Sequence, residues 1–325
     1  MKILIDTFGA DGGSKVLVDG AVLALKKKDF IPVFVGNEEE IEKLIDGRIS
    51  TYEITHTDEY ISNDEEPVRA IRRKKDSSLV LAYNKLKEEG YDGLLSAGST
   101  GAILAGGIFI SKRIDGIDRP SLAAPLPSLG EVTLLMDSGA NMDCKPAYLE
   151  EFAIMGKVFL ENVIHIKNPK IGLLNVGLES HKGNKLTKEA YKILSESDLN
   201  FVGNIEARDL FTGKVNVIVA DGFAGNVAVK TAEGVISVFK SQMKDVLYKS
   251  FKTKLAGIAI KNDLSKEMGK FSSQNIGGVP LLGVKSYVYK AHGNSNDIAI
   301  SNALLGLMEY INMNVIEKIQ GELND

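Results

Sequence analysis

Six short loops carry most of the residues able to do chemistry, and each follows a run of apolar residues. They read DTFGADGGS from Asp6, SAGSTGA from Ser96, DSGAN from Asp137, NVGLESHKGN from Asn175, DGFAGN from Asp221 and AHGNSN from Ala291. Hydroxyls, amides and glycine N–H groups dominate them, with few formal charges. Ser99 and Thr100, flanked by the backbone of Gly98 and Gly101, have the composition of an anion site at a helix start. Lys182 and Asn226 supply a cation and an amide for a developing oxyanion or a departing thiolate. His292 titrates near neutrality and so can protonate that thiolate; a hydrogen-bonded turn histidine is the plain alternative. Asp11, Asn141, Asn184 and Asp221 complete the set. Carboxylates are given positioning roles, because a bare carboxylate beside an anion repels it. The chemistry this suits is acyl transfer to inorganic phosphate. Phosphate is already a nucleophile, so the protein need only hold it against a carbonyl and stabilise the charge that develops.

These loops need a scaffold that brings them together. Apolar runs at 3–5, 31–35, 93–95, 132–136, 171–176, 215–220 and 286–289 read as buried strands. Helical spacing fills 15–28, 77–89, 100–113, 146–163, 185–196 and 297–319. Such alternation implies an α/β fold with a mostly parallel sheet and helices on both faces. Ligands then sit outside the carboxyl ends of the strands, so the expectation is six loops at one end of the sheet around one site. Any single loop is explained by ordinary turn and cap residues; six together argue for a site. No repeat or linker divides the 325 residues, which predicts a single large α/β domain over 1–325 with a protruding helical arm at about 235–275.

Competing chemistries are missing their motifs. GADGGSK lacks P-loop spacing, no G-x-G-x-x-G is present, and the second strand ends in Gly36-Asn37, although Glu38 stands nearby as a ribose-binding acid. No HExxH or nucleophile elbow occurs, and the four histidines lie far apart, so neither a metal nor another cofactor is expected. A net charge of −4 offers no field for nucleic acid. The single cysteine, Cys144, fits a reducing cytoplasm and is read as a bystander, the rival being an acyl-cysteine intermediate. No apolar run approaches the ~20 residues of a membrane span. Residues 226–252 suit one long amphipathic helix, and Asn226 could cap its start. Beyond it Leu255, Ile258 and Ile260 form an apolar tip rimmed by lysines, suited to an anionic bilayer surface or to a protomer contact.

The blocks VRAIRRKKDSSL, SAGSTGAILA, MDSGANMD, IGLLNVGLESHKGN, GNIEARD, ADGFAGNVAVKTAEG and GGVPLLGVKSYVYKAHGNS run almost from end to end. In order and spacing the chain resembles the PlsX family of acyl carrier protein-dependent phosphate acyltransferases. The resemblance implies conversion of acyl carrier protein thioester and phosphate to acyl-phosphate and free carrier, for bacterial phospholipid synthesis. It also implies a three-layer α/β/α sandwich of the isocitrate/isopropylmalate dehydrogenase type, a homodimer, and peripheral contact with a membrane that holds a glycerol-phosphate acyltransferase. It places Lys182 in the active site. The chain departs from the family pattern at the first loop, which has Ser14 where proline is common, at Ser99 in place of an amide, and at Leu178 and Ser180 where acids are frequent. An acidic carrier gives the basic run from Arg69 a purpose, so Arg69 and Arg72 are candidate docking or phosphate residues. Three alternatives stand beside this reading: a phosphotransacetylase-like enzyme using coenzyme A, an NAD-dependent dehydrogenase of related fold, and a non-catalytic carrier or membrane scaffold.

Overall fold

The computed structural model describes residues 1–269 and 277–324. Eleven strands form one sheet: β1 (Lys2–Asp6), β2 (Ile31–Gly36), β3 (Glu53–His56), β4 (Gly93–Ser96), β5 (Ser121–Leu126), β6 (Thr133–Met136), β7 (Ile171–Asn175), β8 (Phe201–Glu206), β9 (Val217–Val219), β10 (Gly278–Leu282) and β11 (Val288–Ala291). Their order across the sheet is β3-β2-β1-β4-β11-β10-β5-β6-β9-β7-β8. The helices are α1 (Gly13–Leu25), α2 (Glu38–Ile45), α3 (Pro67–Arg73), α4 (Ser78–Lys85), α5 (Thr100–Gly106), α6 (Pro146–Phe159), α7 (Lys185–Glu196), α8 (Gly222–Tyr248), α9 (Phe251–Gly269), α10 (Asp297–Asn312) and α11 (Val315–Glu322).

Side-chain alternation along the strands divides the core into layers. Ile3 and Ile5 of β1, Leu95 of β4, and Tyr289 and Ala291 of β11 face one side, packed with residues of α1, α2, α6, α7, α10 and α11. Leu4, Leu94 and Val288 face the other, under α3, α4 and α5. Further along that second face Leu126, Leu135 and Leu174 form a separate cluster, against Phe211 and Val229. The result is an α/β/α sandwich in which one face carries two cores rather than one.

Strand direction corrects the expectation that all six loops meet at one end of the sheet. From β3 to β11 the strands are parallel, and from β6 to β8 they are parallel again. Between these sets lie three antiparallel pairings, β11–β10, β10–β5 and β5–β6. Three reversals invert direction. The loops after β1, β4 and β11 therefore leave one edge, and those after β6, β7 and β9 leave the opposite edge.

At the seam, β5 and β10 pair only through Leu122–Leu281 and Ser121–Leu282. Pro125 and Pro280 lie just beyond this short ladder, and a proline has no N–H to extend one.

The arm is a helical pair. α8 begins at Gly222 with Asp221 as its cap, so Asn226 lies inside the helix as its fifth residue, which corrects its reading as an N-cap. The helix expected over 226–252 is broken near Ser250, whose hydroxyl accepts from the Thr253 N–H while Thr253 Oγ1 accepts from the Ser250 N–H. This reciprocal cap starts α9. The part of the arm assigned to 270–275 lies outside the described residues. No helix among the described residues is long and apolar enough to cross a membrane.

Candidate active site

A cavity of about 930 Å³ opens on the second face of the sheet, between its two cores. Its floor is the parted seam: Leu122, Ala124 and Leu126 of β5, Val279 of β10 and Lys290 of β11. Because β11 alternates, Tyr289 and Ala291 belong to the opposite core and Lys290 points into the cavity. Thr100, the first residue of α5, enters from one edge of the sheet. Ser138, Gly139 and the first turns of α8 enter from the other. The two sets of loops thus face each other across the floor, not side by side at one sheet end.

The loop after β6 turns on Asp137, a buried residue with φ of 69°. Its carboxylate accepts from the N–H groups of Gly139, Ala140 and Asn141 at 3.1, 2.7 and 2.8 Å, and from the Asn141 amide at 2.9 Å. Burial nevertheless holds the Asp137 pKa above the ordinary carboxylate value. The other proton of the Asn141 amide goes to the Pro120 carbonyl at 2.8 Å. Asn141 thus braces the loop and has no amide donor left for phosphate, a correction to its reading as an anion ligand. Gly139 has φ of 123°, and a Cβ there would come within 3.3 Å of the Asn226 side chain. Glycine makes the room in which Asn226 reaches the cavity.

Asp221 caps α8 by accepting from the Phe223 N–H at 2.9 Å and reaches back to accept from the Cys144 N–H at 2.8 Å. It ties two loops together and does not line the cavity. Beside it the Cys144 thiol is pushed up to about 12, first by burial and then by the Asp221 and Asp137 carboxylates.

On the opposite edge Asp6 is fully enclosed. It accepts from Ser78 and Ser96 hydroxyls, both at 2.7 Å, and from the Phe8 N–H at 3.3 Å, while burial raises its pKa. Gly9, with φ of 87°, lies so near Gly98 that a Cβ would sit 2.5 Å from the Gly98 Cα. Gly98 and Ser99 line a separate small cleft with Asp6, Phe8 and Tyr60. Of the GSTG segment only Thr100 reaches the large cavity; Gly101 packs on Pro67 of α3.

The Asp11 N–H donates to the Gly293 carbonyl at 2.8 Å, which joins the first loop to the last beside His292. His292 stands at the cavity mouth. Its pKa falls below the ordinary value, chiefly through partial burial and then through the charges of Lys290 and Lys230; Glu233 and Asp11 oppose this.

The structure therefore assembles Thr100, Asn226 and His292 and leaves other expected residues outside. Lys182 is exposed on the β7 loop, with its carbonyl accepting from the Asn175 amide at 3.3 Å. Asn184 caps α7 by accepting from the Thr187 N–H at 3.0 Å. Arg69 and Arg72 are exposed on α3, with the Arg72 guanidinium 4.9 Å from the Phe109 ring centre.

Lys290, Lys230, Glu233 and Ser138 line the cavity without having been singled out from sequence. The signal for Lys290 was available: it is the charged residue in an otherwise apolar strand just before the AHGNSN loop. Burial, then the charge of Lys230, lowers its pKa to about 8.

The family described as "Fatty acid synthesis protein" matches residues 1–318. A phosphate acyltransferase of Thermoanaerobacterium thermosaccharolyticum is 44% identical over 323 residues, which cover 99% of this chain and 97% of that protein. One from Brevibacillus brevis is 45% identical over 326 residues, with coverage of 99% and 97%. Among solved structures, a phosphotransacetylase from Streptococcus pyogenes covers 96% of this chain and 94% of its own, at a TM-score of 0.61 and 18% identity, a likeness of fold. With its layered sheet, and with this match along nearly its whole length, the chain belongs to the PlsX family of phosphate acyltransferases.

Proposed function

We propose that this phosphate acyltransferase moves the acyl group of an acyl carrier protein thioester onto inorganic phosphate and releases free carrier, feeding phospholipid synthesis. The observation that carries the reading is the two-sided character of the cavity. Leu122, Leu126, Phe211, Val229 and Ile236 give it apolar walls for an acyl chain, while Thr100, Asn226, Lys290 and His292 provide donors in the same space.

A phosphate oxygen attacks the thioester carbonyl carbon and forms a C–O bond. The carbonyl oxygen takes the negative charge, and the Asn226 amide, which lines the cavity, donates to it. The intermediate collapses with loss of the C–S bond, and the thiolate needs one proton. Partial burial and the charges of Lys290 and Lys230 favour the neutral form of His292. It can take the proton from the hydroxyl of hydrogen phosphate and pass it to the thiolate, so the reaction needs no outside acid. Thr100 and Asn226 hold the reacting groups in line.

Lys182 and Asn184 are kept in the reading as part of the loop that meets the incoming carrier thioester, with Asp11 and Asp221 as braces. Arg69 and Arg72 are given to the acidic carrier surface. The apolar residues exposed along α8, among them Val235, Val238 and Phe239, are proposed to be covered by a second copy of the chain. At the arm's end Leu255, Ile258 and Ile260 are 53%, 71% and 45% exposed, and they are proposed to rest on an anionic membrane that accepts the amphiphilic product. The whole is read as one α/β domain, cytoplasmic, with this arm reaching outward.

The test is to incubate purified protein with long-chain acyl carrier protein or acyl-coenzyme A, with and without phosphate, and to follow free thiol. Thiol release from the carrier substrate that depends on phosphate supports the reading. Preference for acyl-coenzyme A would favour the phosphotransacetylase-like alternative, and no release would leave a scaffold.

A further inference from the structure

We propose that Lys290, with Lys230 and His292 beside it, holds the phosphate dianion, so that the phosphate subsite lies over β11 and not in the glycine-rich loop after β4. The inference rests on the reading of this cavity as the acyltransferase site.

Four observations carry it. Lys290 forms part of the cavity floor on a strand whose neighbours Tyr289 and Ala291 pack into the opposite core, Ala291 also bordering the cavity. Its ammonium donates to the Ala291 carbonyl at 2.9 Å, and among the described residues it has no carboxylate partner. Lys230 across the cavity is paired with Glu233 at 2.8 Å, so it is already balanced by an anion while Lys290 is not. Finally, Gly98 and Ser99, two of the four expected phosphate residues of that loop, line a different small cleft with Asp6, and only Thr100 of the four lines the large cavity.

Lys290 and Lys230 share one partly buried space with the His292 imidazole. Lys290 and Lys230 each hold the His292 pKa down, and Lys230 does the same to Lys290. The charged groups facing this point are Lys230, Glu233 and Lys240 from α8, Asp11 from the first loop and His292 from the end of β11. Its neighbours on β4 and β10, Ser96 and Val279, carry no charge. A dianion placed beside Lys290 offsets both its burial and the charge of Lys230, so phosphate binding and proton retention on Lys290 favour each other. Phosphate affinity should then be highest where Lys290 is protonated and should fall as the pH rises through about 8.

The experiment is a ³¹P NMR titration of inorganic phosphate with full-length wild type, Lys290→Met and Lys290→Arg, across a pH range in which phosphate stays dianionic. Melting curves establish that each variant is folded. Wild type should lose affinity as the pH passes about 8. Lys290→Met should bind at least roughly tenfold more weakly throughout, the scale of a lost charge-assisted hydrogen bond. Lys290→Arg should retain binding with no such loss at high pH, because guanidinium stays charged. Lys290→Met binding phosphate as tightly as wild type, an arginine variant with the wild-type pH dependence, or no phosphate binding by wild type would each overturn the proposal. If phosphate binds as expected but wild type releases no thiol from acyl carrier protein, the subsite stands and the acyltransferase reading falls.

Discussion

Lys290 on β11 and Lys230 on α8 line the same cavity, and the Lys230 charge makes the Lys290 ammonium harder to hold. Burial does more than Lys230 to lower the Lys290 pKa to about 8, so the folded protein carries an ammonium in a place that disfavours it. Sites that need a charge are often bought at some cost in stability.

Replacing Lys290 with methionine should therefore stabilise the fold while it impairs turnover. The penalty is complete below about pH 8, where both folded and unfolded chains hold the proton. Between that pH and the ordinary lysine value of 10.5 the unfolded chain alone holds it, so wild-type stability rises with pH. At neutral pH the variant should gain about 1–3 kcal/mol. Melting temperatures compared near neutrality and near pH 10.5 check this, because the advantage should shrink at the higher value. A variant that melts lower than wild type at neutral pH contradicts it.

Asn226→Ala should lower kcat by roughly 10²–10³ with a smaller effect on the KM for phosphate, as expected for a donor to the developing oxyanion. Gly139→Ala should produce part of the same loss, since its added methyl meets the Asn226 side chain. Steady-state kinetics on both variants make the comparison. An Asn226→Ala enzyme with wild-type kcat removes the amide from the mechanism.

Cys144→Ser should change turnover by less than about twofold, because a thiol held up to about 12 offers almost no thiolate at neutral pH. Alkylation by iodoacetamide should be correspondingly slow, as counted by mass spectrometry. Fast labelling with parallel loss of activity would revive an acyl-cysteine route.

Much of this arrangement could be read from the residues, and the parts that could not have a common cause. Seven strands and most helices follow from apolar runs and 3.6-residue spacing. β3 is a short edge strand, β5 reads SLAAPL and β10 reads GVPLL, so alanine, glycine and proline mask their strand character. β8 begins half-exposed, which hides its alternation. Periodicity also carries no sign for strand direction. Missing β5 and β10 therefore meant missing the reversals, and the six loops were placed at one end. Thr100, Asn226 and His292 were found because their loops have anion-site chemistry. Lys290 falls between the strand read at 286–289 and the loop from Ala291, and only the packing of neighbouring strands shows which face is hollow.

Ile258→Asp should reduce flotation of the protein with vesicles that contain anionic lipid, and should leave turnover on a soluble carrier substrate within about twofold. Ile258 lies 71% exposed, so the substitution breaks no core. Equal flotation of both proteins would assign the tip to another protomer or to solvent.

Lys182→Ala should raise the KM for the acyl carrier substrate more than it lowers kcat, because Lys182 is exposed and does not line the cavity. A collapse of kcat alone, with KM unchanged, would mean that the β7 loop closes onto the reacting groups.

The short β5–β10 ladder also bears on how the sheet yields. Two residue pairs join its two parallel halves along this line, whereas β1 and β2 share five. Local opening costs least where the fewest hydrogen bonds must break. Amide protons of β5 and β10 should accordingly exchange with solvent sooner than those of β1 and β4. A cavity floored by such a line can widen from beneath, by a small hinge between the halves, and needs no separate lid to admit chains of different length.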